Sequence, residues 1–372
     1  VDRMRDDDAC PGALQVHQAA DGALARLRLP GGMITAAQLE VLAHTATEFG
    51  NATLELTVRG NLQLRGVRDA AAVAEAVAAA GLLPSPSHER VRNIVASPLS
   101  GRVGGLADVR PWVTELDRAI RADPDLAGLP GRFLFGLDDG RGDISGLGAD
   151  VGAQVLPDGV ALVLAGRDTG IRLDSREVVA ALITVARRFV EVRGKAWRVT
   201  ELADPSVLVA DVEPSALPGA SYPPLLRPPV GWIDQDDGAV ALGAAVPLGV
   251  LTARQAEFVA AIDAPVVITP WRSLLVCDLS EPVADTSLRV LAPMGLVFDE
   301  NSAWLDVSAC VGSPGCDKSR GDVRAEATRV AVDGAAVRAG AHVHYVGCER
   351  ACGSPASAEV IVATADGFHR LR

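Results

Sequence analysis

The chain has 372 residues, 49% of them apolar, and a formal charge of −12. That length and apolar content predict two or three domains with sizeable cores. The acidic balance argues against nucleic acid or an anionic membrane as the main partner. No apolar run is long or clean enough to span a membrane and no secretory leader pattern opens the chain, so a cytoplasmic protein is expected.

Residues 1–20 are polar and read as an arm carrying Cys10-Pro11-Gly12. From Gly22, Leu24, Arg26 and Arg28 alternate with Ala25, Leu27 and Leu29, the period of a strand. Pro30-Gly31-Gly32 breaks it, and Thr35-Ala36-Ala37-Gln38 has the pattern of a capping box opening a helix to about Phe49. A second strand through Leu54, Leu56 and Val58 ends in Arg59-Gly60-Asn61-Leu62-Gln63-Leu64-Arg65, and a helix from about Ala70 to Ala80 stops at Gly81. The plan returns near residue 238. A strand through Val240 and Leu242 is broken by Pro247 and Gly249. Thr252-Ala253-Arg254-Gln255 repeats the cap, the helix runs to about Ile262, and Val266–Ile268 is a strand ending at Thr269-Pro270-Trp271-Arg272. Pro30, Gly32, Thr35 and Gln38 match Pro247, Gly249, Thr252 and Gln255 at one offset, which predicts an internal duplication.

A larger module follows each repeat. The first contains Glu89-Arg90-Val91-Arg92-Asn93-Ile94, strands at Phe133–Leu137 and Val160–Leu164, and an amphipathic helix from Arg176 to Val192. A proline-rich linker spans 213–229. The second carries a helix capped by Asp322 and a strand from His342 to Val346. The expected divisions are 1–83, 84–220, 221–285 and 286–372. Arg141-Gly142-Asp143 and Arg320-Gly321-Asp322 spell an adhesion tripeptide, too short a match to carry a function. His342 and His344 share a strand face and read as solvent-facing or structural strand histidines rather than metal ligands.

Four of the six cysteines fall in two pairs near the end: Cys310 and Cys316, then Cys348 and Cys352. Gly312, Gly315, Gly347 and Gly353 flank them, and glycine lets backbone approach an inorganic core closely. All-sulfur ligation suits iron–sulfur or zinc. Zinc pairs are usually spaced by two to four residues, so the first pair fits zinc poorly. Scattered Cys10 and Cys277, with no leader, argue against disulfides.

This spacing resembles the 4Fe-4S signature of the siroheme sulfite and nitrite reductases, and of their relatives the precorrin-3B synthases of aerobic cobalamin biosynthesis. The resemblance implies an α+β fold: two ferredoxin-like half-repeats, each followed by a larger α/β module. It implies that Cys310, Cys316, Cys348 and Cys352 hold a 4Fe-4S cluster. It also implies that Arg59, Asn61, Gln63, Arg92, Asn93 and Arg132 line a tetrapyrrole cleft, where arginine forks suit acetate and propionate groups. Arg65, Arg90 and Arg102 lie in the same segments.

The reductases carry a Leu-Pro-x-Lys-Phe-Lys motif, and this chain has Leu129-Pro130-Gly131-Arg132-Phe133-Leu134. Leu134 cannot supply the second cation, and Glu349-Arg350 departs from the usual insert of the second cysteine pair. These departures favour the synthase. For that family the resemblance implies hydroxylation of precorrin-3A at C20 by dioxygen, with a ring A acetate closing on C1 as a γ-lactone. It implies a non-haem iron besides the cluster, and NADH-derived electrons through an external reductase or ferredoxin. The alternatives are a siroheme-dependent sulfite or nitrite reductase, and a non-catalytic iron–sulfur electron-transfer or tetrapyrrole-carrier protein.

Overall fold

A computed structural model describes residues 9–219, 221–225, 227–333, 342–355 and 358–372. Positions 1–8 of the arm and 220 and 226 of the linker lie outside the described residues.

Both capping boxes form. Thr35 Oγ1 accepts from Gln38 N at 3.2 Å and Gln38 Oε1 accepts from Thr35 N at 3.1 Å, opening the helix Ala36–Phe49. Thr252 and Gln255 repeat the exchange at 3.2 and 2.8 Å, opening Ala253–Ala260. Each cap stabilises its helix by about 1 kcal/mol. The first helix buries Leu39, Leu42, Ala43 and Ala46.

The two repeats exchange strands. The first sheet runs His17–Ala19, Gly22–Leu27, Leu62–Val67, Thr53–Leu56 and then Val250–Thr252 from the second repeat, all antiparallel. The second runs Gly231–Asp234, Val240–Ala245, Ser273–Leu279, Val266–Ile268 and then Met33–Ile34 from the first repeat. The exchanged strands are the equivalent pieces after Gly32 and Gly249. Gly32 has φ +71°, and a Cβ there would lie 2.0 Å from the Ile268 carbonyl, so only glycine admits this crossing. The exchange fuses the repeats into one core, in which Leu39, Leu54 and Leu64 pack with Leu242, Leu251 and Leu274, all fully buried.

The third sheet is mixed: Ile94–Ala96, Phe135–Asp138 and Val151–Leu156 are parallel, and Gly159–Leu164 and Arg167–Leu173 are antiparallel additions. Its helix Val178–Val192 brings Phe189 to 5.0 Å from Phe133, which is 5.0 Å from Phe135. Burying each ring contributes about 1.5–3 kcal/mol. The fourth sheet sets Val307–Ala309, Val343–Val346 and Glu359–Thr364 parallel, with Gly367–Arg370 antiparallel at the edge. Asp322 Oδ1 accepts from Ala325 N at 3.0 Å at the start of the helix Val323–Asp333. This is the expected α+β architecture. Among the described residues, no helix is long and apolar enough to cross a membrane.

Candidate functional site

The four sheets meet around a cavity of about 390 Å³. Leu134, Trp271 and Trp304 give it apolar wall, and Arg59, Arg198 and Arg272 bring positive charge. The proline-rich linker forms another wall through Pro224, Leu225 and Pro228. Several contacts among the described residues hold it there. Trp271 Nε1 donates to the Leu225 carbonyl at 2.8 Å, and the Pro223 carbonyl occupies the space a side chain on Gly146 would need.

Arg59 ends the turn after Thr53–Leu56 and donates to the Arg132 carbonyl at 2.9 Å and the Gly131 carbonyl at 3.4 Å. Burial, then the charge of Arg198, push its pKa down to about 10. Arg198 is held by Asp150 at 2.6 Å. Arg272 donates to the Gly353 carbonyl at 3.3 Å, and burial lowers its pKa.

Arg28 lies within electrostatic reach of Arg59 and is 2% exposed. Its Nε and Nη1 have no hydrogen-bond partner. Burial, then the neighbouring charge of Arg26, push its pKa down to about 9, so it stays charged at neutral pH. A buried cation with open donors is costly unless an anion meets it.

The other expected cleft residues are placed differently. Asn61 Nδ2 donates to Asn93 Oδ1 at 3.3 Å, and Asn61 Oδ1 accepts from Leu29 N at 2.8 Å. Asn93 donates to the Gly131 carbonyl at 3.0 Å, the same carbonyl Arg59 uses, so the two asparagines brace Arg59 from behind. Gln63 accepts from Arg26 Nε at 2.9 Å and donates to Glu55 at 3.3 Å. Arg92 is off the cavity wall: it is buried against Asp117 of the helix Arg110–Ala122, at 2.6 Å. Arg132 is exposed, with its guanidinium 5.0 Å from the Trp197 ring. Arg102 pairs with Asp278 at 2.7 Å. Arg65 pairs with Asp21 and reaches the Gly315 carbonyl, between Cys310 and Cys316, at 2.9 Å. Sequence reading missed Arg28, Arg198 and Arg272. Only alternation could have flagged Arg28; nothing local marks the others.

The parallel strands Val307–Ala309 and Val343–Val346 deliver Cys310 and Cys348 to one end of the fourth sheet. Cys310 N donates to the Tyr345 carbonyl at 2.9 Å, and Gly347 N donates to Cys310 Sγ at 3.3 Å. Burial raises the Cys352 thiol pKa, and Cys310, Cys348 and Cys316 raise it further by their charge, so the four share one neighbourhood. None of the six cysteines is in a disulfide. Burial pushes Cys277 up to about 12, which keeps it an inert thiol.

Among the described residues, the group tight enough to share a single ion is Asp138, Asp139 and Asp143, whose ligand atoms lie within 4.8 Å. Those carboxylates already have partners. Asp138 accepts from the backbone N–H groups of Gly140, Gly142, Ile144 and Ser145, at 2.8–3.0 Å. Asp139 accepts from Arg141 at 2.7 Å, and Asp143 from Ser97 Oγ at 2.6 Å. Burial pushes Asp143 up to about 7. The thiols do not converge on a single-ion site.

The family described as the nitrite/sulfite reductase ferredoxin-like half domain matches residues 17–80. A precorrin-3B synthase of Sinorhizobium sp is 28% identical over an alignment of 380 residues, covering 98% of this chain and 82% of the relative. A ferredoxin–nitrite reductase of Synechococcus elongatus is 34% identical over 127 residues, covering 32% of this chain and 25% of the relative. The solved structure of the Mycobacterium tuberculosis NirA protein superposes with a TM-score of 0.73 at 21% identity, over 89% of this chain and 69% of that one. The fold is therefore that of the sulfite/nitrite reductases, with ferredoxin-like half-domains joined to larger α/β sheets.

Proposed function

We propose that this protein is a precorrin-3B synthase, a monooxygenase that hydroxylates precorrin-3A at C20 and closes the ring A acetate on C1. The observation that carries the reading is Leu134. It lines the cavity beside Arg59, at the position where the reductases' motif has its second lysine. Reduction of sulfite or nitrite consumes several protons and is served by tunable cations near the anion. A leucine there suits a metal-free macrocycle that enters, reacts and leaves. The apolar wall of Trp271 and Trp304 matches a flat ring, and Arg59, Arg198 and Arg272 match its carboxylates. A relative matched over nearly the whole chain is also a precorrin-3B synthase.

Cys310, Cys316, Cys348 and Cys352 would hold a 4Fe-4S cluster, which passes electrons singly from an external donor when bound. Arg59 and Arg272 orient the polyanion, while Leu134 and the tryptophans keep water from the ring. A non-haem iron finds no fitting ligand set among the described residues, because the one convergent carboxylate group is saturated by amides, Arg141 and Ser97. No step is assigned to it.

The second reading is a siroheme-dependent nitrite or sulfite reductase. It is favoured by the local 34% identity to nitrite reductase and by the NirA fold. Absorption of freshly purified protein, followed by oxygen uptake with and without precorrin-3A, tests the choice. The synthase shows iron–sulfur absorption without siroheme bands and precorrin-dependent uptake. Stoichiometric siroheme with nitrite- or sulfite-dependent turnover overturns it.

A further inference from the structure

In the fourth sheet His344 lies opposite Ser308 on the neighbouring parallel strand. Ser308 Oγ is 2.7 Å from His344 Nδ1 and 2.7 Å from His342 Nε2. The outer nitrogens face carbonyls: His342 Nδ1 is 3.3 Å from that of Leu305, and His344 Nε2 is 3.0 Å from that of Cys352. A carbonyl only accepts, so four contacts require four protons, whereas a serine and two neutral imidazoles own three. One contact must go without, and the long one at Leu305 is the one to yield. His342 Nδ1 then carries a lone pair with an acceptor already beside it. One added proton at that atom satisfies every contact. His342, Ser308 and Leu305 all line the cavity.

We propose that His342 is a proton donor to the reaction in the cavity and that Ser308 positions it. The inference rests on the proposed oxygen chemistry. Hydroxylation by dioxygen takes two electrons from the external donor and two protons; one oxygen atom enters the substrate and the other leaves as water. His342 gives one proton to the oxygen that leaves as water and is recharged from solvent, which also supplies the second proton. The charged neighbours of His342 are Arg272, which disfavours the imidazolium, and Asp306, which favours it. Burial disfavours it most, and the Leu305 carbonyl opposes that.

The test compares wild-type protein with His342→Gln, Ser308→Ala and Ser308→Thr in cluster-loaded form. Glutamine can still bond Ser308 but has no proton it can transfer. His342→Gln should lower kcat by about 10²-fold, the usual span of a general acid, with KM and precorrin-3A affinity unchanged. Oxygen uptake should then release hydrogen peroxide. Ser308→Ala should lower kcat with KM unchanged, and Ser308→Thr, which keeps the hydroxyl, should restore it. Wild-type kcat in His342→Gln, or a loss of affinity that tracks its loss of kcat, overturns the proposal. If His342→Gln does not fold, equal wild-type rates in both serine variants overturn it. Wild-type protein without oxygen turnover overturns the functional reading itself, a result distinct from an active wild type with indifferent variants.

Discussion

Arg28→Met should move stability and ligand affinity in opposite directions. Arg28 is 2% exposed, and its Nε and Nη1 lack partners. An unsatisfied buried polar group costs about 1–3 kcal/mol, and more when charged. Methionine fills similar space without the charge and removes the repulsion from Arg26 and Arg59. After allowing for lost packing, ligand-free Arg28→Met should be more stable by about 2–4 kcal/mol. If the open donors exist to meet a carboxylate, the same change removes charge-assisted hydrogen bonds worth about 1.5–3 kcal/mol. That weakens tetrapyrrole binding roughly 10- to 150-fold. Urea unfolding of ligand-free protein gives the first quantity, and fluorescence titration with precorrin-3A under anaerobic conditions gives the second. Loss of stability would show Arg28 to be an ordinary structural residue, and unchanged affinity would show that no ligand carboxylate reaches it.

Serine at Cys310, Cys316, Cys348 or Cys352 should abolish cluster iron and sulfide, while Cys10→Ser and Cys277→Ser should retain both in anaerobic analysis; full occupancy in Cys348→Ser contradicts the ligand set. Arg92→Ala should destabilise the fold by about 3 kcal/mol in urea by stripping Asp117 of a buried partner, the low end for such pairs because Arg121 still reaches Asp117 at 3.0 Å; precorrin-3A affinity should hardly change. Asp143 titrates near 7 in the fold against an ordinary 3.8, so the native state holds its proton more tightly. Its stabilisation is complete below pH 3.8 and is lost as pH rises to about 7, at no more than about 1.4 kcal/mol per pH unit. Asp143→Asn should flatten that slope in urea midpoints measured across the interval, and an unaltered slope would show that Asp143 is not its source.

Local chemistry was legible in the sequence. A capping box is complete within four residues, so Thr35 with Gln38 and Thr252 with Gln255 announced both helices and the duplication. Partnerships across the chain were not legible. Arg92 looked like a ligand-binding arginine because Asp117, 25 residues on, takes its charge only when the helix packs. The exchange of Met33–Ile34 for Val250–Thr252 depends on which sheet each short strand reaches, and the strands' own pattern fits either. Arg198 and Arg272 reach the cavity from loops with no periodicity, and the linker's prolines signal stiffness without signalling what they cover.

On the proposed function, the cavity takes a metal-free tetrapyrrole and adds oxygen to it. The most direct measurement is a single turnover of purified, cluster-loaded protein with precorrin-3A, a chemical reductant and isotopically heavy dioxygen, followed by mass analysis of the product. The expected result is one heavy oxygen atom in the macrocycle, a second in water, and loss of the substrate's visible bands as conjugation is interrupted at C20. A product without heavy oxygen, from protein that carries siroheme and consumes nitrite or sulfite, would contradict it.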